Sequence, residues 1–118
     1  MKMLHDMKLQ DQWFQRLLDG TKNIELRLYD TKRKTIELGD IIRFTNGQGQ
    51  TATFTVTALL RANTFAQLLE YIPTECVTGG CATRSEMLTI METIYPVAQQ
   101  KQHGVLGIAL APCSTSLR

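Results

Sequence analysis

Hydrophobic and polar positions alternate over residues 3–9. Met3, His5, Met7 and Leu9 fall on one side and Leu4, Asp6 and Lys8 on the other, the two-residue period of a half-buried strand. A helical period follows. Asp11 is placed as N-cap, Trp13, Phe14, Leu17 and Leu18 make one apolar stripe, and Gly20 is placed to end the helix. Period two returns over residues 23–29, where Ile24, Leu26 and Leu28 are predicted to enter the core. That strand exits into the basic loop DTKRK. Gly39 and Asp40 then turn the chain into a strand over 41–46, with Ile42 and Phe44 on one face. NGQGQ predicts a hairpin connection into the strand TATFTVTALL, with Phe54, Val56 and Ala58 inward and the threonines outward.

The second half is mostly helical. Thr64 and Gln67 have the spacing of a capping box ahead of Phe65, Leu68, Leu69 and Ile72. PTECVTGGCA, rich in Gly, Thr and Pro, is predicted as a loop. Thr83 and Glu86 form a second capping box, and Met87, Ile90, Met91 and Ile94 recur at helical spacing behind it. Pro96 ends that helix and opens one further turn, which Gly104 closes. The last strand, VLGIAL, has Leu106, Ile108 and Leu110 on one side and the small face Val105, Gly107 and Ala109 on the other. That small face either admits a helix closely or leaves room for a ligand. CSTSLR is predicted to fray. Five strands with helices between them predict an α+β domain built on a compact, largely antiparallel barrel.

At 118 residues the chain is expected to be one domain, 1–118, and its 43% hydrophobic and 20% charged residues exclude disorder and coiled coil. A formal charge of +2 makes a local patch more informative than the sum. No apolar run is long enough to span a bilayer, and MKMLHDMKLQ lacks the apolar stretch of a signal peptide. The expectation is a soluble, cytoplasmic protein with no membrane association. Cys76, Cys81 and Cys113 are odd in number, and the four-residue gap between the first two differs from a metal or redox motif. Neither metal nor cofactor is expected.

Candidate chemistry concentrates in GTKNIELR, residues 20–27, where Lys22, Glu25 and Arg27 converge on a few residues of backbone. Glu25 and Arg27, two apart, point the same way. Arg offers a planar fork for phosphate or a carbonyl edge, Lys adds a point charge, and Glu can hold Arg in place or accept from an exocyclic amine. The bland alternative is three charges pairing on a solvated face, contributing about 0–1 kcal/mol per pair. A third is a buried ion network, in which loss of Glu25 would cost about 3–5 kcal/mol. His5 is expected to be a satisfied interior histidine, Trp13 part of the core, and Lys32, Arg33 and Lys34 a solvated basic run.

Gly20, Lys22, Glu25 and Arg27 also fit G-x-K-x-x-E-x-R, and on that motif the chain resembles the ASCH domain family. His5, Met7 and Leu9 resemble the first strand of its small bacterial single-domain members, ELRLYDTKRKTIELGDIIRFTN the segment after the motif, and QKQHGVLGIAL the closing strand. The resemblance implies a PUA-like, mostly antiparallel β-barrel of about five to six strands with three to four short helices. It implies a charged cleft for RNA or a nucleotide-like ligand, contacted by Lys22, Glu25 and Arg27, with Lys32 and Arg33 beside it. One branch of the family hydrolyses N4-acetylcytidine with a Lys, a Thr and a Glu. Its Lys falls on Lys22 and its Glu on Glu86, but its Thr falls on Glu25, so Lys22, Glu25 and Glu86 are the catalytic candidates if the protein is an amidohydrolase or a ribonuclease. Thr21 is no substitute, because it lies on the other side of Lys22 in an extended segment.

Overall fold

A computed structural model describes residues 2–113; of the segment CSTSLR predicted to fray, Cys113 donates its N–H to Thr53, and residues 114–118 lie outside the described residues. The alternating segments all form strands. These are β1 (Leu4–Lys8), β2 (Ile24–Leu28), β3 (Ile41–Thr45), β4 (Thr51–Ala62) and β5 (Val105–Pro112). They make a single five-stranded sheet in the order β1-β3-β4-β5-β2. Three pairings are antiparallel and β1–β3 is parallel, which hairpin-like connections alone do not produce. The sheet curls into a half-barrel whose two edges, β1 and β2, approach across a seam.

Among the described residues five α-helices join the strands, more than the three to four expected: α1 (Asp11–Leu18), α2 (Phe65–Leu68), α3 (Thr74–Thr78), α4 (Arg84–Ile94) and α5 (Val97–His103), besides a single 3-10 turn at Arg33–Thr35. The surplus is α3, in the segment predicted as loop. Pro73 stands at its N-cap and Gly79, at φ 70°, ends it in the left-handed region. The Pro and Gly that argued for a loop are therefore a helix start and stop. Asp11 is the first residue of α1 rather than its cap, because its carboxylate accepts from Gln15 and from Asn46 of the hairpin connection. Leu18, the last residue of the stripe, is exposed. Thr83 and Glu86 form the predicted capping box at α4. At α2 Thr64 accepts from Gln67, but the Gln67 side chain takes the N–H of Asn63 instead of closing the box.

Ile42 and Phe44 are fully buried, and Phe54 and Val56 pack with them. A bulge between Val56 and Ala58 then shifts the alternation of β4, so Ala58 is only half-buried. His5 is an interior histidine, its Nε2 donating at 2.9 Å to Asp40, which also accepts the N–H groups of Met3 and Glu37.

β2 departs from expectation in a way that shapes the site. Ile24, Leu26 and Leu28 are buried as predicted, but Glu25 is buried too and Arg27 is mostly covered. Both faces of this strand are packed. Leu26 pairs with Gly107, where an added Cβ would meet Ile24, Leu68 and Ile72 at 3.4 Å. The small face of β5 therefore admits α2 and the segment after it. Glu25 and Arg27 pair with Ile108 and Leu106, which are buried on the inner face of the curl. The charged side chains point inward, at the seam.

Candidate functional site

The site begins with the residue before β2. The backbone N–H of Lys22 donates to Arg16 at the end of α1, and the N–H of Asn23 to Cys76 in α3. Held between those helices, the Lys22 side chain is 1% exposed, and its Nζ donates to the carbonyls of Ile24 at 2.7 Å and Val77 at 2.8 Å. Its third partner is Glu25 Oε1 at 3.2 Å. An ammonium has three N–H groups, so all three are engaged. The Trp13 ring centroid lies 5.7 Å from Nζ, a cation–π contact that adds to these three bonds.

Glu25 links the two cations. Its Oε2 accepts from Arg27 Nε at 2.7 Å. Arg27 Nη2 then reaches across the seam to the Lys8 carbonyl, also at 2.7 Å. This side-chain bond ties β2 to β1, the two edges of the sheet. Arginine carries five N–H groups, and the two bonds named leave others for a ligand. Burial alone would raise the Glu25 carboxyl, but the neighbouring Lys22 and Arg27 charges outweigh it and hold it below the ordinary carboxylate range. Burial lowers the Lys22 ammonium from its ordinary value, against the opposing attraction of Glu25. Two cations share one anion, so the network keeps one positive charge in excess.

Above this floor is a cleft of about 190 Å³, lined by Lys22, Glu25 and Arg27 together with Lys8, Leu9, Gln10 and Trp13 from the β1–α1 side. Met87, Ile90, Met91, Ile94 and Tyr95 of α4 and its end form the opposite wall. The cleft is smaller than the ~300–1,000 Å³ typical of drug-sized ligands. Its size matches one ring system. A second depression of about 720 Å³ shares Lys8 and Arg27 with the cleft and continues past Lys32, Arg33 and Arg43. Asp6 is the acidic residue in its lining, and Arg43 already pairs with it at 2.7 Å.

Lys22, Glu25 and Arg27 therefore meet at one recess, and Lys32 and Arg33 line the adjoining groove. Glu86 is elsewhere. It is exposed, outside the lining of both depressions, and its carboxylate accepts the N–H of Thr83. Thr21 is exposed and hydrogen-bonds Asp19 at 2.6 Å. Among the described residues no group of His, Cys, Asp and Glu is arranged to hold a metal ion. None of their helices is long and apolar enough to cross a membrane.

Sequence reasoning left the apolar wall unassigned. The stripe of α4 reads as core, yet only Met87 and Met91 are buried, while Ile90 is half-buried and Ile94 is 50% exposed. A stripe whose last turn emerges from the protein has the same spacing as one that stays covered. The role of α3 was equally hidden, because Lys22 uses its backbone carbonyl rather than a side chain.

Two solved structures are similar to the chain along nearly all of its length. The crystal structure of the hypothetical protein PH0355 superimposes with a TM-score of 0.85 at 32% identity, covering 94% of this chain and 100% of that one. The solution structure of protein PF0455 from Pyrococcus furiosus does so with a TM-score of 0.75 at 30% identity, covering 95% and 99%. No curated protein matches the chain. The model of the ASCH domain matches residues 7–114. With that match over nearly its whole length, the chain belongs to the ASCH domain family.

Proposed function

We propose that the seam cleft binds RNA or a nucleotide-like ligand, taking one base between the α4 wall and Trp13 and passing its phosphate to the basic groove. The observation that carries this is the shared position of Arg27 and Lys8, which belong both to the small apolar cleft and to the cationic depression beside it. A flat ring gains from an apolar wall, and a phosphate from lysine and arginine at its edge. Arg27 suits the junction, because Glu25 and the Lys8 carbonyl fix its guanidinium before any ligand arrives. A donor already held in place loses little freedom on binding.

Binding is favoured over hydrolysis by the state of Lys22. A general base or nucleophile needs access to the substrate. Lys22 has all three donors bound to protein oxygens, and Glu86 lies outside the cleft. Glu25, in the position of the threonine of the amidohydrolase branch, already has both oxygens engaged by cations.

The expected measure of the groove is salt dependence. For a short single-stranded RNA, each phosphate neutralised adds about 0.7 to the slope of log affinity against log salt. Lys32→Gln is expected to flatten that slope by about 0.7. Binding isotherms of both proteins over a range of salt check it. An identical slope would place the RNA outside the groove.

A further inference from the structure

A second polar pocket, of about 410 Å³, lies between the end of β4 and the last turn of α5, and shares no lining residue with the seam cleft or the groove. The side chains that line it are Arg61, Asn63, Lys101, Gln102 and His103, with no carboxylate among them. Lys101 and His103 complement the negative end of the α5 dipole, which is reason enough for cations on that helix. It does not account for Arg61 and Asn63, which come from β4 and the residue after it.

Arg61 is the informative residue. Arg16, Arg27, Arg33, Arg43 and Arg84 each donate a side-chain N–H to a protein oxygen. Arg61 is the arginine among the described residues that makes no such bond. Its guanidinium carbon sits over the Tyr29 ring, 3.8 Å from the centroid, a ring that Lys34 also approaches at 5.6 Å. A guanidinium held over a ring keeps the N–H groups at its edge available to an acceptor. The donors are free. Nor do the side chains of Asn63, Lys101, Gln102 and His103 have a hydrogen-bond or salt-bridge partner among the described residues.

We infer that this pocket is a phosphate-binding site, with Arg61, held over Tyr29, presenting its N–H edge to two phosphate oxygens and Lys101 supplying a second charge. Planar, paired donors match a tetrahedral oxyanion. Asn63, Gln102 and His103 add further donors around it. The phosphate can belong to a monoester or to the backbone of a nucleic acid. This site does not depend on the seam cleft.

Amide and side-chain NMR decides the matter. The His103 ring and the Arg61 Nε–H are followed during titration with inorganic phosphate, and separately with a short single-stranded RNA lacking a terminal phosphate. Chloride at matched ionic strength serves as the control. Saturable shifts at both residues are expected, with phosphate if a monoester-sized anion fits and with RNA alone if a diester is required. Arg61→Gln is expected to weaken the binding about tenfold or more, the loss of a charge-assisted pair, with unchanged melting. Lys101→Gln is expected to act in the same direction. Arg27→Gln leaves the shifts in place, which separates this result from the fate of the cleft. Shifts that track chloride with both probes would overturn the assignment. So would an affinity indifferent to Arg61, or shifts that vanish in Arg27→Gln.

Discussion

Glu25→Ala is expected to lower the unfolding free energy by about 3–5 kcal/mol, because it leaves the buried Lys22 and the mostly covered Arg27 without their shared anion. An exposed ion pair would give about 0–1 kcal/mol. Burial decides between these magnitudes: Glu25 is 6% exposed and Lys22 1%. The variant also frees the Arg27 guanidinium, so the seam loses its tether to Lys8. Urea unfolding at neutral pH measures the loss. The same network sets a pH dependence. The Glu25 carboxyl is depressed in the folded state, so its stabilisation is complete above the ordinary value of 4.5 and lost as pH falls through the folded one. Stability of the wild type should therefore decline on acidification more steeply than that of Glu25→Gln. Asp40 is depressed as well, since the His5 bond and the N–H groups of Glu37 and Met3 outweigh the effect of burial. It contributes equally to both proteins and cancels in the difference. A drop under 1 kcal/mol for Glu25→Ala, with parallel acid profiles, would mean that the network is solvated.

The second large effect is expected at Lys22. Lys22→Met keeps the length and apolar body of the side chain but leaves the Ile24 and Val77 carbonyls without their donor. Each buried carbonyl left unpaired costs about 1–3 kcal/mol, so the total is about 2–6 kcal/mol. Glu25 retains Arg27, which keeps the loss below that of an isolated buried charge. Because Val77 belongs to α3, the variant should also loosen the anchoring of that helix. The Asn23 amide, which donates to Cys76 of the same helix, is expected to exchange with solvent faster relative to amides of β5. Combining Lys22→Met with Glu25→Gln should cost less than the sum of the single changes by about 0.5–3 kcal/mol, since the two residues share one interaction. Strict additivity would show that they act separately.

The alternation of hydrophobic and polar residues was enough to find every strand, and the Thr83–Glu86 and Pro96–Gly104 signals found the limits of α4 and α5. Local chemistry is legible because it is read over three or four residues. What covers a strand is not. Period two shows that Glu25 and Arg27 share a face, but not that the sheet curls until β1 meets that face. Hence the two charges lie on an inner surface beside Leu106 and Ile108 instead of on the solvent side of a sheet. The Gly79–Gly80 segment carried the opposite ambiguity, since Gly can both break a chain and end a short helix. Gln100 was not singled out at all. It is 1% exposed, accepts the Phe65 N–H and donates to the Tyr95 carbonyl, pinning α2 to the end of the cleft wall. A buried glutamine with long-range partners leaves no periodic trace. The Tyr29–Arg61 contact is equally silent, for Tyr29 follows β2 and Arg61 lies on β4, two strands separated by β5.

The chain has a single tryptophan, and Trp13 lines the seam cleft against Lys22. Its fluorescence therefore reports on that recess alone. Titration with a ribonucleoside monophosphate and with a short single-stranded RNA, on wild type and Arg27→Gln, tests the binding function most directly. The prediction is a saturable change in Trp13 emission with at least one of the two, its midpoint raised about tenfold or more in Arg27→Gln by loss of a charge-assisted contact. Emission that fails to saturate with either ligand, or a midpoint untouched by the loss of Arg27, would contradict it.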